Sequence, residues 1–118
     1  SVFFVEKEKS TIKILEKNIK KLKVKKKAEI FFDDVFDQIK KQGVMSSKFD
    51  LILCDPPFND TNVKKLIELI FDNNLLKENG IIILHRNLST REKFPNYFSI
   101  LDERIYGISK IIFGKFLA

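Results

Sequence analysis

The residues best suited to chemistry lie in one short stretch, FDLILCDPPFND, at residues 49–60. An apolar run typical of a buried strand ends there in Asp55, Pro56, Pro57 and Phe58. Two successive prolines fix φ at both positions and remove two N–H donors, so the carbonyl groups there are held rigidly. Asp55 adds a carboxylate acceptor, and Phe58 offers an aromatic face on which a base can stack.

Such a corner suits reaction at an exocyclic amine of a heterocycle. The lone pair of that amine is spread into the ring, which makes the nitrogen a poor nucleophile. Two acceptors that hold its hydrogens favour a pyramidal nitrogen whose lone pair is aimed at an electrophile. Orientation of this kind can lower a reaction barrier by several kcal/mol. The alternative interpretation is a strand-ending proline turn with Phe58 in the core.

Acidic residues also follow the first two predicted strands. Glu6 ends SVFFVE, and Asp33 and Asp34 follow AEIFF. In nucleotide-binding sheets, a strand-end acid accepts hydrogen bonds from ribose hydroxyls, which suits Glu6. An acid after the next strand can bind an adenine amino group, which suits Asp34 or, instead, Asp33. Each acid taken alone could equally be a helix cap or part of a solvated turn.

The elements that would position these residues alternate along the chain. Strands are predicted at SVFFVE, AEIFF, FDLILC and IIILHR, separated by the helices STIKILEKNIKKLKV, DDVFDQIKKQG and TNVKKLIELIFDNN. This order predicts an α/β fold with an open, mostly parallel sheet, in which FDLILC, apolar on both faces, is a central strand. SILDERIYG and SKIIFGKF predict an antiparallel hairpin joined at Gly107. Ligands of such sheets bind at the carboxyl ends of the strands.

Two of the helices carry an apolar stripe with helical spacing. The residues expected to face the core are Ile12, Leu15, Ile19 and Leu22 in one helix, and Val63, Leu66, Ile67 and Ile70 in the other.

Length and composition indicate one globular domain. The chain has 118 residues, 44% of them hydrophobic and 32% charged, and it contains no apolar run long enough for a bilayer. A single cysteine excludes a disulfide framework, so a reducing cytoplasm is the expected compartment.

The net charge of +6 favours a polyanionic partner. Much of the excess lies between Lys20 and Lys27, and two compatible interpretations are open. The lysines can be a solvated helix end that suits the negative pole of the helix dipole. Alternatively, Lys23, Lys25, Lys26 and Lys27 can contact RNA phosphates.

The sequence DPPF after FDLILC resembles motif IV, Asp/Asn/Ser-Pro-Pro-aromatic, of the amino-group methyltransferases that use S-adenosylmethionine. Over nearly all of its length the chain is similar to the RsmD-like bacterial enzymes, which methylate guanine N2 in 16S ribosomal RNA. The similarity is carried by FFVEKEKSTIKILEKNIKKL, DDVFDQI, FDLILCDPPF, LIELIFDNNLLKENGIIIL and ERIYGISKIIFGKF. This resemblance implies the Rossmann-like class I methyltransferase fold and the rRNA-methylating activity.

The resemblance also implies S-adenosylmethionine as the cofactor and no metal. The cofactor-binding residues it implies are Glu6, Lys7, Asp33, Asp34, Val35 and Asp55. Asp55 and the Pro56 carbonyl would hold the target amine next to Pro57, and Phe58 would pack on the target base. The implied partner is 16S rRNA or the small-subunit ribosomal particle, with no membrane, and a monomer is expected.

Two departures from the family pattern affect these expectations. The family's first strand and its glycine-rich loop lie upstream of SVFFVE at the centre of the sheet, and the four glycines of this chain form no G-x-G cluster. We therefore expect an N-terminally truncated sequence that by itself binds the cofactor weakly or not at all. His85 stands where relatives often carry an acid, and it is either a surface histidine at a strand end or a residue beside the target base.

Other functions remain open at this point. A DNA adenine-N6 or cytosine-N4 methyltransferase, or a protein-glutamine methyltransferase, would use the same corner, although such enzymes often have Asn and Tyr in the motif and carry extra target-recognition segments. A catalytically incomplete RNA-binding fragment would also combine an intact motif with a missing glycine loop.

Overall fold

The computed structural model describes residues 1–41, 48–56 and 62–117 of the chain. The protein has an α/β fold that divides into two compact units, Ser1–Met45 and Ser46–Ala118, each with its own sheet. They are referred to below as the first and the second unit.

The first unit is a parallel strand pair with helices after both strands. Its elements are strand β1 (Val2–Glu6), helix α1 (Lys9–Leu22), a 3-10 turn (Lys25–Lys27), strand β2 (Ala28–Phe32) and helix α2 (Val35–Lys40). β1 and β2 pair in parallel, with Glu6 opposite Phe32. The strand–helix–strand order predicted for this part of the chain is confirmed.

Helix α1 buries only part of its predicted stripe. Ile12 and Ile19 are buried, whereas Leu22 is 70% exposed. The helix ends at Leu22 because the next residue, Lys23, adopts the left-handed conformation with φ of 57°. The last predicted core position of this helix is therefore wrong.

The second unit is a four-stranded mixed sheet. Its elements are strand β3 (Phe49–Cys54), helix α3 (Val63–Asp72) and strands β4 (Leu76–Asn87), β5 (Phe98–Tyr106) and β6 (Ser109–Phe116). The strand order is β3-β4-β6-β5, with β3 parallel to β4 and β6 antiparallel to both of its neighbours. Gly107 turns the β5–β6 hairpin with φ of 59°, so the predicted hairpin is confirmed.

The core of the second unit contains the whole predicted stripe of α3. Its four members are at most 7% exposed, and they are Val63, Leu66, Ile67 and Ile70. Ile82 and Leu84 of β4 are fully buried, and Ile112 of β6 is 2% exposed. This apolar core fixes the sheet whose strand ends carry the predicted chemistry.

Strand β3 does not have the central place that its apolar sequence predicts. Among the described strands it lies at one edge of its sheet, with β5 at the other, and it pairs only with β4. Its side chains alternate, with Cys54 buried and Leu51 and Leu53 exposed by 56% and 67%. One face of β3 is thus left uncovered, and apolar residues on both faces do not by themselves place a strand centrally.

The described strands also form two separate sheets where one continuous sheet is predicted. The α/β class, the parallel pairs and the antiparallel terminal hairpin are confirmed within these sheets. Throughout the described ranges, every helix is too short or too polar to cross a membrane.

Candidate active site

The carboxyl ends of β1 and β2 bring together the acids predicted to bind the cofactor. Glu6 is the last residue of β1 and lies opposite Phe32, the last residue of β2. The Asp33 N–H donates to the Glu6 carbonyl at 3.1 Å, which ties the two strand ends together. Glu6, Asp33 and Asp34 therefore form one acid rim at the edge where ligands of parallel sheets bind.

Local hydrogen bonds fix the carboxylates of the acid rim. Glu6 Oε1 accepts the N–H of Glu8 at 3.0 Å, and Asp34 Oδ1 accepts the N–H of Phe36 at 2.8 Å as the N-cap of α2. The helix-cap alternative for Asp34 is therefore correct as far as one oxygen is concerned. A carboxylate has a second oxygen with acceptor capacity, so a cap does not exclude ligand binding.

Asp33 is engaged through both of its carboxylate oxygens. Oδ1 accepts the N–H of Asp34 at 2.9 Å, and Oδ2 pairs with the ammonium group of Lys41. The hydrogen bond from Lys41 holds the pKa of Asp33 below its ordinary value, and the same pair raises the pKa of Lys41. These contacts use both carboxylate oxygens of Asp33 but only one carboxylate oxygen of Asp34.

Two further residues predicted to bind the cofactor flank the acid rim. Lys7 follows β1 and is exposed, and Val35 is the half-buried first residue of α2. The structure thus gathers Glu6, Lys7, Asp34 and Val35 at the ends of two neighbouring strands.

In the second unit, Asp55 lies directly after β3 with its side chain 63% exposed. Pro56, which follows it, is half-buried. Pro57 and Phe58 lie outside the described residues, so their roles stay predictions. The described half of the corner presents one carboxylate at the carboxyl end of a parallel strand, as the sequence predicts.

Cys54 precedes Asp55 but does not serve as a nucleophile. Its side chain is 8% exposed, and burial raises the pKa of the thiol to about 12. The thiol therefore stays protonated at neutral pH. Among the described residues of the corner, Asp55 and Pro56 are the ones whose oxygen atoms can take part in the proposed chemistry.

Hydrogen bonds link Asp55 to His85 and His85 in turn to Ser109. His85 Nδ1 lies 3.0 Å from Asp55 Oδ1, and His85 Nε2 lies 3.0 Å from Ser109 Oγ. The His85 side chain is 29% exposed, so it is neither buried nor fully exposed, and both interpretations of His85 stay predictions. Its strand continues to Asn87.

Sequence reasoning missed Ser109 altogether. The serine follows the hairpin turn and pairs with Asn87 of β4. Its place beside His85 depends on the register between β4 and β6, which no local pattern specifies. Alternation along both strands limits which residues of β6 can share a face with His85, and that is the signal that could have suggested Ser109.

The four lysines predicted to contact RNA lie together on the first unit. Lys23 directly follows α1, and Lys25, Lys26 and Lys27 form the 3-10 turn. All four are exposed. The described residues contain no group of three His, Cys, Asp or Glu side chains that could hold a metal ion.

Comparison with known proteins identifies the family. The family model described as conserved hypothetical protein 95 matches residues 1–115. The chain is 31% identical over 108 residues to ribosomal RNA small subunit methyltransferase D of Haemophilus influenzae, which covers 91% of this chain and 55% of that protein. It is 29% identical over 101 residues to the protein of the same name from Buchnera aphidicola, which covers 86% and 51%. The chain spans about half of the length of these relatives.

A solved structure agrees with the sequence matches. A methylase from Haemophilus influenzae shares the fold with a TM-score of 0.82 and 28% identity, covering 100% of this chain and 73% of that one. The fold is that of the class I methyltransferases. The chain therefore belongs to the family described as conserved hypothetical protein 95, the RsmD-like methyltransferases.

Proposed function

We propose that the full-length gene product transfers a methyl group from S-adenosylmethionine to the exocyclic N2 amine of a guanine in 16S ribosomal RNA. The observation that carries this proposal is the position of Asp55, an exposed carboxylate between strand β3 and Pro56. The two relatives named as small-subunit rRNA methyltransferases support ribosomal RNA as the substrate.

The acid rim suits the adenosine part of S-adenosylmethionine. Glu6 offers a carboxylate at the end of β1, which can accept hydrogen bonds from the two ribose hydroxyls. Asp34 is assigned to the adenine amino group in preference to Asp33, because both oxygens of Asp33 are already engaged. When bound, the cofactor supplies an electrophilic methyl group on a sulfonium.

Asp55 and Pro56 act on the acceptor amine. The Asp55 carboxylate and the Pro56 carbonyl accept its two N–H groups, which aims the nitrogen lone pair at the methyl carbon. Transfer from the bound cofactor would form a carbon–nitrogen bond and break the carbon–sulfur bond, and the nitrogen would then lose one proton. Asp55 can take that proton because it already accepts the hydrogen bond in which the proton lies.

The reaction is tested by supplying the full-length gene product with methyl-labelled S-adenosylmethionine and either 16S rRNA or small-subunit particles. The expected product, identified by mass spectrometry of the digested RNA, is N2-methylguanosine. Label in adenine, cytosine, DNA or protein glutamine would overturn the proposal. RNA binding without any calorimetric signal for the cofactor would instead support a catalytically incomplete RNA-binding protein.

We also propose that the exposed lysines of the first unit contact the phosphates of the RNA. Replacing Lys23, Lys25, Lys26 and Lys27 by Gln should weaken binding, and the slope of log affinity against log salt should fall by about 0.7 for each lost contact. Replacing the exposed Lys13 and Lys17 of α1 is the matched control. An unchanged slope would return the four lysines to the role of a solvated helix end.

A further inference from the structure

We propose that His85 is a positioning residue that holds Asp55 in place for the target amine, and that Ser109 orients His85. The inference deepens the proposed function and rests on it, since that function assigns Asp55 to the amine. It adds two residues to the site, and neither belongs to the proline corner.

The direction of the hydrogen bonds follows from the chemistry of the three groups. An ionised carboxylate can only accept, so the contact of 3.0 Å between Asp55 Oδ1 and His85 Nδ1 requires a hydrogen on Nδ1. In the neutral imidazole, Nε2 is then an acceptor, and the hydroxyl of Ser109 donates to it at 3.0 Å. Asp55 thereby selects the tautomer, and the contact of Ser109 with Nε2 helps to hold the imidazole ring in place.

All three residues are placed by neighbouring strands of one sheet. Cys54 pairs with Leu84 across β3 and β4, which sets the next residues, Asp55 and His85, side by side. His85 pairs with Ile111 across β4 and β6, and Ser109 is the first residue of β6. A group supported from regular strands is held more precisely than one supported from a loop.

The exposure of the side chains shows at which end of the row of hydrogen bonds from Ser109 to Asp55 a substrate can approach. The connectivity is that of a Ser-His-Asp hydrolase triad, in which a buried carboxylate supports an accessible serine. Here the Asp55 side chain is 63% exposed, whereas Ser109 is half-buried. The accessible end is therefore the carboxylate, and the serine serves as support rather than as a nucleophile.

The contact between His85 and Oδ1 also fixes the position of the second oxygen of Asp55. An exposed aspartate otherwise samples several rotamers. With Oδ1 held by His85, the carboxylate keeps one orientation, and Oδ2 is available to accept an N–H of the target amine. A small misplacement of such a group can cost about 100-fold in rate.

Kinetics of single variants in the full-length gene product test this role. His85→Ala should lower kcat about 100-fold, while the Kd of S-adenosylmethionine changes by less than about twofold. His85→Asn places an amide N–H near the position of Nδ1 and should recover about 10-fold of that loss. Ser109→Ala should lower kcat about 10-fold, whereas its matched control Ser99→Ala, a half-buried serine of β5, should change it by less than about twofold.

Three outcomes, two kinetic and one from covalent labelling, would overturn the inference. One is a kcat for His85→Ala within about twofold of the wild-type value. Another is a His85→Asn variant no faster than His85→Ala, because a merely structural histidine would give that result. The third is covalent labelling of Ser109 by a fluorophosphonate, which would make the serine a nucleophile.

Nuclear magnetic resonance of the imidazole nitrogens gives a test that does not depend on activity. His85 is the one histidine of the chain, and the signal that disappears in His85→Asn identifies it. We expect the tautomer protonated at Nδ1 in the wild type, with a shift toward protonation at Nε2 in Asp55→Ala. A wild-type protein already protonated only at Nε2 would contradict the inference. If methyl transfer were absent altogether, the proposed function would fail, and this spectrum would still decide whether His85 donates to Asp55.

Discussion

In the first unit the described partners of the Glu6, Asp33 and Asp34 carboxylates lie no more than eight residues away along the chain, whereas the Asp55 carboxylate in the second unit contacts His85, 30 residues away. Local sequence therefore orients the carboxylates of the acid rim, although strand pairing brings the residues together. The orientation of Asp55 depends on correct pairing within the sheet. The groups proposed to bind the cofactor are oriented by local contacts, and the group proposed to orient the reacting atom is held by a tertiary contact.

The cores of the two units differ in the same direction. The buried apolar residues described in the first unit are Ile12, Ile19 and Ile39. The second unit buries the whole stripe of α3 together with residues of β4, β5 and β6. More buried apolar surface gives the second unit the larger share of the hydrophobic stabilisation. A rigid sheet under Asp55 is what precise placement of a carboxylate requires.

The largest expected effect on stability concerns a buried ion pair of the second unit. Arg86 of β4 pairs with Glu92, and their side chains are 2% and 8% exposed. Glu92→Ala should lower the free energy of unfolding by about 3–5 kcal/mol, because it removes a carboxylate that pairs with a buried guanidinium. Chemical denaturation of the full-length gene product measures this change.

An exposed ion pair of the same sheet is the control for that prediction. Asp102 and Arg104 lie 3.0 Å apart with side chains 51% and 59% exposed, and Asp102→Ala should cost less than about 1 kcal/mol. Replacing both buried partners, as Arg86→Met with Glu92→Leu, should recover most of the lost stability. If Glu92→Ala and Asp102→Ala lowered the free energy of unfolding equally, the buried pair would not be more important for stability than the exposed pair.

A smaller effect is expected at the cap of α2 in the first unit. Asp34→Ala should lower the free energy of unfolding by about 1 kcal/mol, because the N–H of Phe36 loses its acceptor. Asp34→Ser keeps a capping oxygen and should restore that stability, while the affinity for S-adenosylmethionine should remain reduced. If Asp34→Ser restored both stability and affinity, Asp34 would be a helix cap and no ligand of the adenine.

The smallest effect concerns the pair of Asp33 and Lys41 on the surface of the first unit. The pKa of Asp33 in the folded protein lies below the ordinary value of 3.8, so its stabilising contribution is present above that value and is lost as the pH falls through the folded pKa. Lys41→Met should therefore be less stable than the wild type at neutral pH. The difference should vanish at acid pH.

Denaturation curves of the wild type and Lys41→Met between about pH 6 and about pH 2 measure that difference. Lys40→Met, which replaces the neighbouring exposed lysine, is the control. A difference that stayed constant over this range would mean that Lys41 stabilises the protein by something other than its charge.

Features that depend on local patterns were predictable from the sequence. The stripe of α3 follows from apolar residues at helical spacing, and the hairpin follows from a glycine that can adopt positive φ at position 107. The acids at the strand ends were predicted because they come directly at the end of the apolar runs that indicate strands. Each of these signals spans only a few neighbouring residues.

Features that depend on strand register and on pairing partners were not predictable. Strand β3 is apolar on both faces, yet it lies at the outside of its described sheet, because the sequence of a strand does not name its neighbours. The contacts of His85 with Asp55 and Ser109 join residues 30 and 24 positions apart. The pair of Arg86 and Glu92 depends on how an irregular segment returns to the sheet.

The central claim is that Asp55 acts on the amine and not on the cofactor. Its most direct test is to measure the turnover of Asp55→Ala and the affinity of this variant for S-adenosylmethionine, both in the full-length gene product. Asp50→Ala is the matched control, because it replaces an exposed aspartate within β3 whose carboxylate pairs with Lys77. We predict that Asp55→Ala lowers kcat by about 100-fold or more, with a cofactor Kd close to that of the wild type. A weakened cofactor Kd with an undiminished kcat at saturating cofactor would contradict the account.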